Sequence, residues 1–250
     1  LKFATFTPAT HHLNKNVAEP FIEAVNRESK GRIKVANYPG AVLAKFPALY
    51  DAVAKGTVDV AQVVPNYTVE YFPLTTVLEL PFVIPNSLVG ASLLRGPLFD
   101  KYLAKEYEKV KVLAMSFTSG YQVMTTKKPV RTVADLKGMK IRIAGGMQVP
   151  LLEAWGAVPV KLDTTEQYEG LQRGTIEGTF FPYASVPAYK LQDVIRYATE
   201  TNVGGSVFAI IMNKQVWDSL PRDLQLVVEH ASRDSSERFA WSYYNEDAVG

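Results

Sequence analysis

Short runs rich in β-branched and aromatic residues punctuate the chain, and longer stretches with apolar residues every three or four positions lie between them. The runs at 1–6, 32–38, 58–64, 110–117, 140–143, 175–181 and 207–212 read as strands. Val17, Phe21, Ala24 and Val25 form one stripe of a helix over 14–29, and 46–54 and 165–172 carry similar spacing. Gly31, Gly56 and Gly174 each end such a stretch just before a strand, where a left-handed residue without a Cβ belongs. Strands alternating with helices predict an α/β chain with largely parallel sheets.

Near the end, Ser219 is placed to cap a helix and Pro221 to occupy its first turn. Leu224, Val227, Val228, Ala231, Phe239 and Tyr243 then extend it over roughly 20 residues or more. No stop signal precedes Gly250, so the protein is expected to continue beyond it.

Two segments echo each other in order. The ten residues Tyr50–Asp59 match Tyr168–Glu177 in kind, and Arg32–Ala36 match Lys140–Ala144. Solenoid units recur every ~20–50 residues, whereas these copies stand far apart. Each half therefore repeats a strand, a helix and a glycine turn into another strand, which predicts two similar lobes.

Composition narrows the function classes. At 250 residues, 47% apolar and 21% charged, the chain is an ordinary globular one able to bury a core. Lys and Arg (27) barely exceed Asp and Glu (25), and no basic block occurs, so nucleic acid is not an expected partner. Cysteine is absent, which excludes disulfides, thiolate catalysis and Cys-ligated metal. No apolar run nears the ~20 residues that span a membrane, and no basic-then-apolar leader opens the sequence. The chain is thus cytosolic, or a leader has been removed.

Walker, G-x-G-x-x-G, G-x-S-x-G and H-E-x-x-H motifs are missing. His11 and His12 are adjacent, so their rings are expected to diverge from a loop, making them poor joint metal ligands. Asp163 or Thr164 suits a helix cap and Glu166 its first turn, a better reading than an acid–base pair. Gly145–Gly146 reads as the turn from strand 140–143 into a helix from about Met147. No catalytic residue, metal or cofactor is expected.

Arg142 alternates with Ile141 and Ile143 inside that strand. A guanidinium at the C-terminal end of an α/β strand can enter a cleft and grip a carboxylate with two parallel bonds, beside a helix N-terminus that favours anions. It can equally lie on the solvent face of an edge strand, and spacing alone leaves both open.

Residues 135–159, then the turn Gly174-Thr-Ile-Glu-Gly178, resemble the DctP-type solute-binding proteins of TRAP (tripartite ATP-independent periplasmic) transporters. His12-Leu-Asn-Lys15, Gly31–Val35 with Tyr38-Pro-Gly40, Gly56–Val60, Leu80-Pro-Phe82, Met212-Asn-Lys214 and Trp217–Pro221 agree in order along essentially the whole chain. The resemblance implies a two-lobed periplasmic-binding-protein fold, with lobe I at 1–122 plus 208–250 and lobe II at 123–207. Hinge strands would cross near Gly120–Thr126 and Gly205–Asn213, and the long helix from about Pro221 would brace both lobes. It implies a monomeric periplasmic receptor, leader removed, that closes on a small organic anion and passes it to a TRAP permease. Arg142 corresponds to the family's carboxylate-gripping arginine.

Departures from the family shape the expected pocket. Sialic-acid-type members carry a second arginine at or beside Gln122, and Phe181 stands where many members have Asn. Fewer hydrogen-bonding groups and more apolar surface favour an aromatic or branched apolar monocarboxylate over a sugar acid. Thr7, Pro8 and His11 are expected to approach from the first lobe, with Pro65, Asn66 and Tyr67 beyond its later strand. Arg142, Gly145, Phe181 and Phe180 are expected in the second lobe, with Gln122 near the hinge and Trp155 packing between lobes. An enzyme or ligand-sensing domain on the same scaffold is the alternative.

Overall fold

The computed structural model describes residues 1–247. Its strands are β1 (Lys2–Ala4), β2 (Ala36–Tyr38), β3 (Val60–Val63), β4 (Val110–Phe117), β5 (Tyr121–Thr125), β6 (Lys140–Ile143), β7 (Val158–Lys161), β8 (Gly178–Phe181), β9 (Tyr197–Val203) and β10 (Val207–Asn213). The helices are α1 (Glu19–Glu28), α2 (Leu49–Ala54), α3 (Ser87–Leu94), α4 (Gln148–Ala154), α5 (Gln167–Arg173), α6 (Lys214–Ser219) and α7 (Arg222–Asp247).

Two five-stranded sheets result, ordered β2-β1-β3-β10-β4 and β7-β6-β8-β5-β9. Each has a parallel half (β1 with β2 and β3; β6 with β7 and β8) and an antiparallel half. The sheets are therefore mixed rather than largely parallel. The α/β character holds, and the antiparallel halves arise where β4, β5, β9 and β10 run between the sheets.

Those crossings are short. Thr118–Gly120 joins β4 to β5, and Gly204–Ser206 joins β9 to β10. The two strands of connection are tied together: Thr118 N donates to Ser206 O (3.0 Å) and Ser206 N to Thr118 Oγ1 (2.8 Å). Both cross near the positions expected of hinge strands.

Apolar side chains gather in one large core around the first sheet, covered by α1, α2, α3 and α7. The second sheet has two smaller cores, one per face. Alternation along β8 sends Phe180 to one and Phe181 to the other. Trp155 packs edge to face on Phe180, ring centroids 6.0 Å apart, so it belongs to the second sheet's own core and not between lobes.

Gly31, Gly56 and Gly174 all take positive φ (80°, 76° and 73°), as the helix–glycine–strand spacing required. Other elements escaped the sequence pattern. The edge strand β9, Tyr197-Ala-Thr-Glu-Thr-Asn-Val203, is mostly exposed and polar, so it carries no apolar alternation. β7 contains Pro159, which an edge strand tolerates.

Ser219 is not a cap. It ends α6, its hydroxyl donating to Val216 O (2.7 Å), and the Pro221 carbonyl accepts from Leu224 N (2.9 Å) to open α7. α7 has 26 residues and so spans about 39 Å. Its buried face interleaves Val228, Ala231 and Phe239 with Ser232 and Ser235, whose hydroxyls bond back to the carbonyls of Val228 and Ala231. Small satisfied residues let the helix lie close to β4 while still reaching the turn 183–185 of the other lobe. Whether it continues past Gly250 lies outside the described residues.

Candidate functional site

β6 sets the site. Its Ile141 and Ile143 face a core with Leu152, all at most 1% exposed, so strand alternation turns Arg142 to the opposite face. There the arginine is fully buried (0% exposed), which removes the solvent-facing alternative. Nε donates to Leu162 O (3.0 Å), while Nη2 donates to Tyr67 Oη (2.7 Å) and Thr164 Oγ1 (2.8 Å). The Phe181 ring lies 5.3 Å from the guanidinium carbon. Among the described residues Arg142 pairs with no carboxylate, and its buried Nη1 has no partner. An isolated buried charge costs several kcal/mol unless something compensates it.

Arg142 forms one wall of a narrow cavity of about 30 Å³, room for roughly one water. The first lobe contributes Phe6, Thr7, His11, Phe46, Val64, Tyr67, Phe208 and Tyr243. The crossing segment contributes Tyr121, and the second lobe Arg142, Ala144, Thr164, Phe181, Pro182, Ser185 and Tyr189. Ligand pockets run ~300–1,000 Å³, so a ligand of ring size requires these walls to move apart. Most of the remaining wall is aromatic: Phe6 stacks on Phe46 (3.6 Å), and Phe46 leans on Tyr67 (4.2 Å).

The lobes meet around the cavity. Tyr67 from beyond β3 reaches Arg142 and also Thr164 (3.0 Å), and Lys161 Nζ donates to Tyr67 O (3.2 Å). Gly145, at φ 147°, lies so near Asn66 that a Cβ would sit 2.7 Å from its carbonyl oxygen. Only glycine fits there, so this residue serves lobe contact. His11 Nδ1 accepts from Leu13 N (3.1 Å), which puts the ring proton on Nε2, facing Ser185 Oγ across the cleft (3.2 Å).

Thr7, His11, Tyr67, Arg142 and Phe181 thus line one cavity. Pro8, Pro65, Asn66, Gly145, Gln122 and Phe180 stand outside its wall. Asn66 is held by Glu79 Oε2 (3.1 Å) and Ser206 Oγ (2.7 Å). Gln122 is spent on β9, accepting from Thr201 N (2.8 Å) and donating to Asn202 Oδ1 (2.5 Å). Its strand neighbour Tyr121 packs with Phe180 on the opposite face and still lines the cavity, its hydroxyl on Ser206 (2.8 Å). Alternation, which puts Gln122 on the face of Phe181, gave no signal for Tyr121, and none marked Ser185 or Tyr189, which come from irregular turns.

His11 and His12 do not diverge. They sit where the chain enters a helical turn, and their rings stack 4.3 Å apart in the interior. Burial drives His11 well below its usual pKa, with a smaller push from His12, and lowers His12 to about 3. Both are neutral near pH 7. No group of metal-ligating side chains forms among the described residues, and no described helix is long and apolar enough to cross a membrane.

Glu79 is the buried acid of the hinge. It accepts from Asn66 and from Val207 N (3.0 Å), yet burial outweighs both and raises its pKa to about 8. Sequence inspection did not single it out.

Residues 3–248 match the family model described as "Bacterial extracellular solute-binding protein, family 7", DctP. The C4-dicarboxylate-binding periplasmic protein DctP of Rhodobacter capsulatus is 28% identical over 226 residues, covering 88% of this chain and 67% of that one. A TRAP solute-binding protein of Rhodoferax ferrireducens T118, solved with copurified benzoate, superposes with a TM-score of 0.94 at 29% identity (100% of this chain, 79% of that one). One from Bordetella bronchiseptica, with bound (R)- and (S)-mandelate, gives 0.91 at 30% identity (100% and 80%).

Proposed function

The chain belongs to the DctP family of bacterial extracellular solute-binding proteins, and from that premise we propose that it captures an aromatic monocarboxylate. Family members are transport receptors rather than enzymes: periplasmic proteins that bind small organic acids and work with TRAP permease subunits.

One observation carries it. A fully buried guanidinium without an acidic partner stands at one side of a cavity whose wall includes Phe6, Phe46, Phe181 and Phe208. A carboxylate supplies the missing countercharge, and charge-assisted bonds to arginine are the strong class. An aromatic ring, admitted as the walls part, packs on the apolar side chains, where each stacked or edge-on contact is worth ~0.5–1.5 kcal/mol beyond its burial. A sugar acid's hydroxyls would lose water at ~1–3 kcal/mol each wherever the wall offers no partner. The two related proteins at 29% and 30% identity hold benzoate and mandelate, which supports this choice, while the R. capsulatus relative is named for dicarboxylates.

Binding is coupled to lobe closure. The contacts of Tyr67 with Arg142 and of His11 with Ser185 exist only when 1–122 plus 208–250 meets 123–207, the lobe limits we adopt. An anion on Arg142 favours that closed state in proportion to its extra affinity for it. The test is calorimetry with benzoate, mandelate, succinate and galacturonate. Benzoate or mandelate should bind at least tenfold more tightly than the other two; a tighter galacturonate or succinate complex would refute the ligand class.

A further inference from the structure

Most hydrogen-bonding groups of the cavity wall are already engaged. Thr7 Oγ1 accepts from Asn14 (2.8 Å), Tyr121 is tied to Ser206, His11 faces Ser185, and Tyr67 and Thr164 accept from Arg142. Two buried polar side-chain atoms of the lining have no partner among the described residues: Arg142 Nη1 and Tyr189 Oη. Buried polar groups are rarely left unpaired in native proteins, and each one needs a reason.

Both unpaired groups flank the same ring. Phe181 lies 5.3 Å from the Arg142 guanidinium carbon, and the Tyr189 ring meets it edge-on, centroids 5.9 Å apart. Tyr189 is 9% exposed and comes from the turn Pro187–Tyr189, far from Arg142 in sequence. Nothing in the sequence distinguished it.

We propose that Tyr189 is a second anchor of the ligand's carboxylate, its hydroxyl donating to the same anionic group that Arg142 Nη1 holds. Burial raises the phenol's pKa further above its ordinary value, so the group stays protonated and remains a donor. A carboxylate has two oxygens and several lone pairs, so one such group satisfies both orphan donors. With those donors consumed, the rest of the wall asks for no further acceptor, which is why an apolar body suits it. This inference rests on the carboxylate-receptor reading and adds a specific residue to it.

The test is Tyr189→Phe, which removes one oxygen and keeps the ring contacts. Isothermal titration with benzoate and with 3-hydroxybenzoate should show about tenfold weaker binding for both acids, by the same factor, as expected for a lost bond to a charged acceptor. Unliganded melting should stay within a few degrees, separating anchoring from a structural role. Unchanged benzoate affinity, or a loss confined to 3-hydroxybenzoate, would overturn the assignment. Should Tyr189→Phe fold poorly, a crystal structure of the wild-type protein with benzoate decides: Tyr189 Oη should stand about 2.5–2.7 Å from a carboxylate oxygen, and a hydroxyl turned away from it refutes the idea. If the wild-type protein ignores aromatic acids but binds succinate, the ligand class has failed, and the same variant titrated with succinate still tests the anchor.

Discussion

Strands β3 and β8 arise from echoed sequence and face each other across the cleft, yet their exits do different work. Each follows a helix and a left-handed glycine, Gly56 or Gly174, and each ends at a proline, Pro65 or Pro182. Beyond β3, Asn66 is locked to Glu79 and Ser206 at the hinge, and Tyr67 hands its hydroxyl to Arg142. At the end of β8, Phe181 offers a bare ring to the same guanidinium. A backbone frame repeats because it depends on local spacing and caps. The side chains just past the frame are free to differ, so one exit became a polar lock and the other an apolar wall.

Removing the group between them should have the largest effect. Arg142→Ala should weaken carboxylate binding by a hundredfold or more, consistent with ~2–5 kcal/mol for truncating one member of a buried charge pair. Its unliganded melting temperature should hold or rise, because the deleted charge had no acidic partner to orphan. Calorimetry and thermal melts read both quantities; retained affinity would dissolve the contrast between the two exits.

The polar lock should reveal itself through pH. Glu79 has a folded pKa of about 8 against 4.5 for the free group, so the folded state holds its proton longer. Its contribution is full below pH 4.5, falls as pH rises through that window, and is lost above 8, a change of a few kcal/mol. His11 and His12 act oppositely: their lowered values mean that the unfolded chain takes protons first, so stability drops as pH falls below 6.5. Together the three groups place maximal stability near neutrality. Glu79→Gln should flatten the alkaline limb in urea titrations between pH 6.5 and 8.5. An unchanged limb would show that the acid is not held neutral at the hinge.

Smaller effects sharpen the contrast. Tyr67→Phe deletes a cross-cleft bond to a charged donor and should weaken benzoate about tenfold, chiefly by favouring the open form, which small-angle scattering would detect. Phe181→Leu keeps the apolar wall but loses the ring face over Arg142; a two- to fivefold weakening is expected for an interaction of about 0.5–1 kcal/mol. If Phe181→Leu cost more than Tyr67→Phe, the wall and not the lock would dominate closure.

Much of this frame was legible beforehand. β4 and β6 have the boundaries their apolar patterns predicted, and all three helix-ending glycines are left-handed. Arg142 was conspicuous because a charge interrupting an isoleucine strand needs an explanation. What escaped notice shares a physical cause. β9 is an exposed polar edge; Ser232 and Ser235 are buried yet satisfied by their own helix; Tyr189 sits in a turn with no period.

Gln122 illustrates the limit at a single residue. It lies near the crossing strands and is paired with Phe181, yet its amide is taken up by Thr201 and Asn202 of β9. Tyr121, packed with Phe180 on the other face, lines the cavity instead, so strand alternation alone does not decide which of the two reaches it.

The sequence by itself determined the periodicities, the caps, the doubled framework and a lone strand arginine, because each follows from neighbours a few positions apart. Which groups share the cavity was decided only in three dimensions. Tyr67, Arg142 and Tyr189 come to one cavity through the crossing of two sheets, and burial, which no local pattern encodes, leaves two donors there in need of an acceptor.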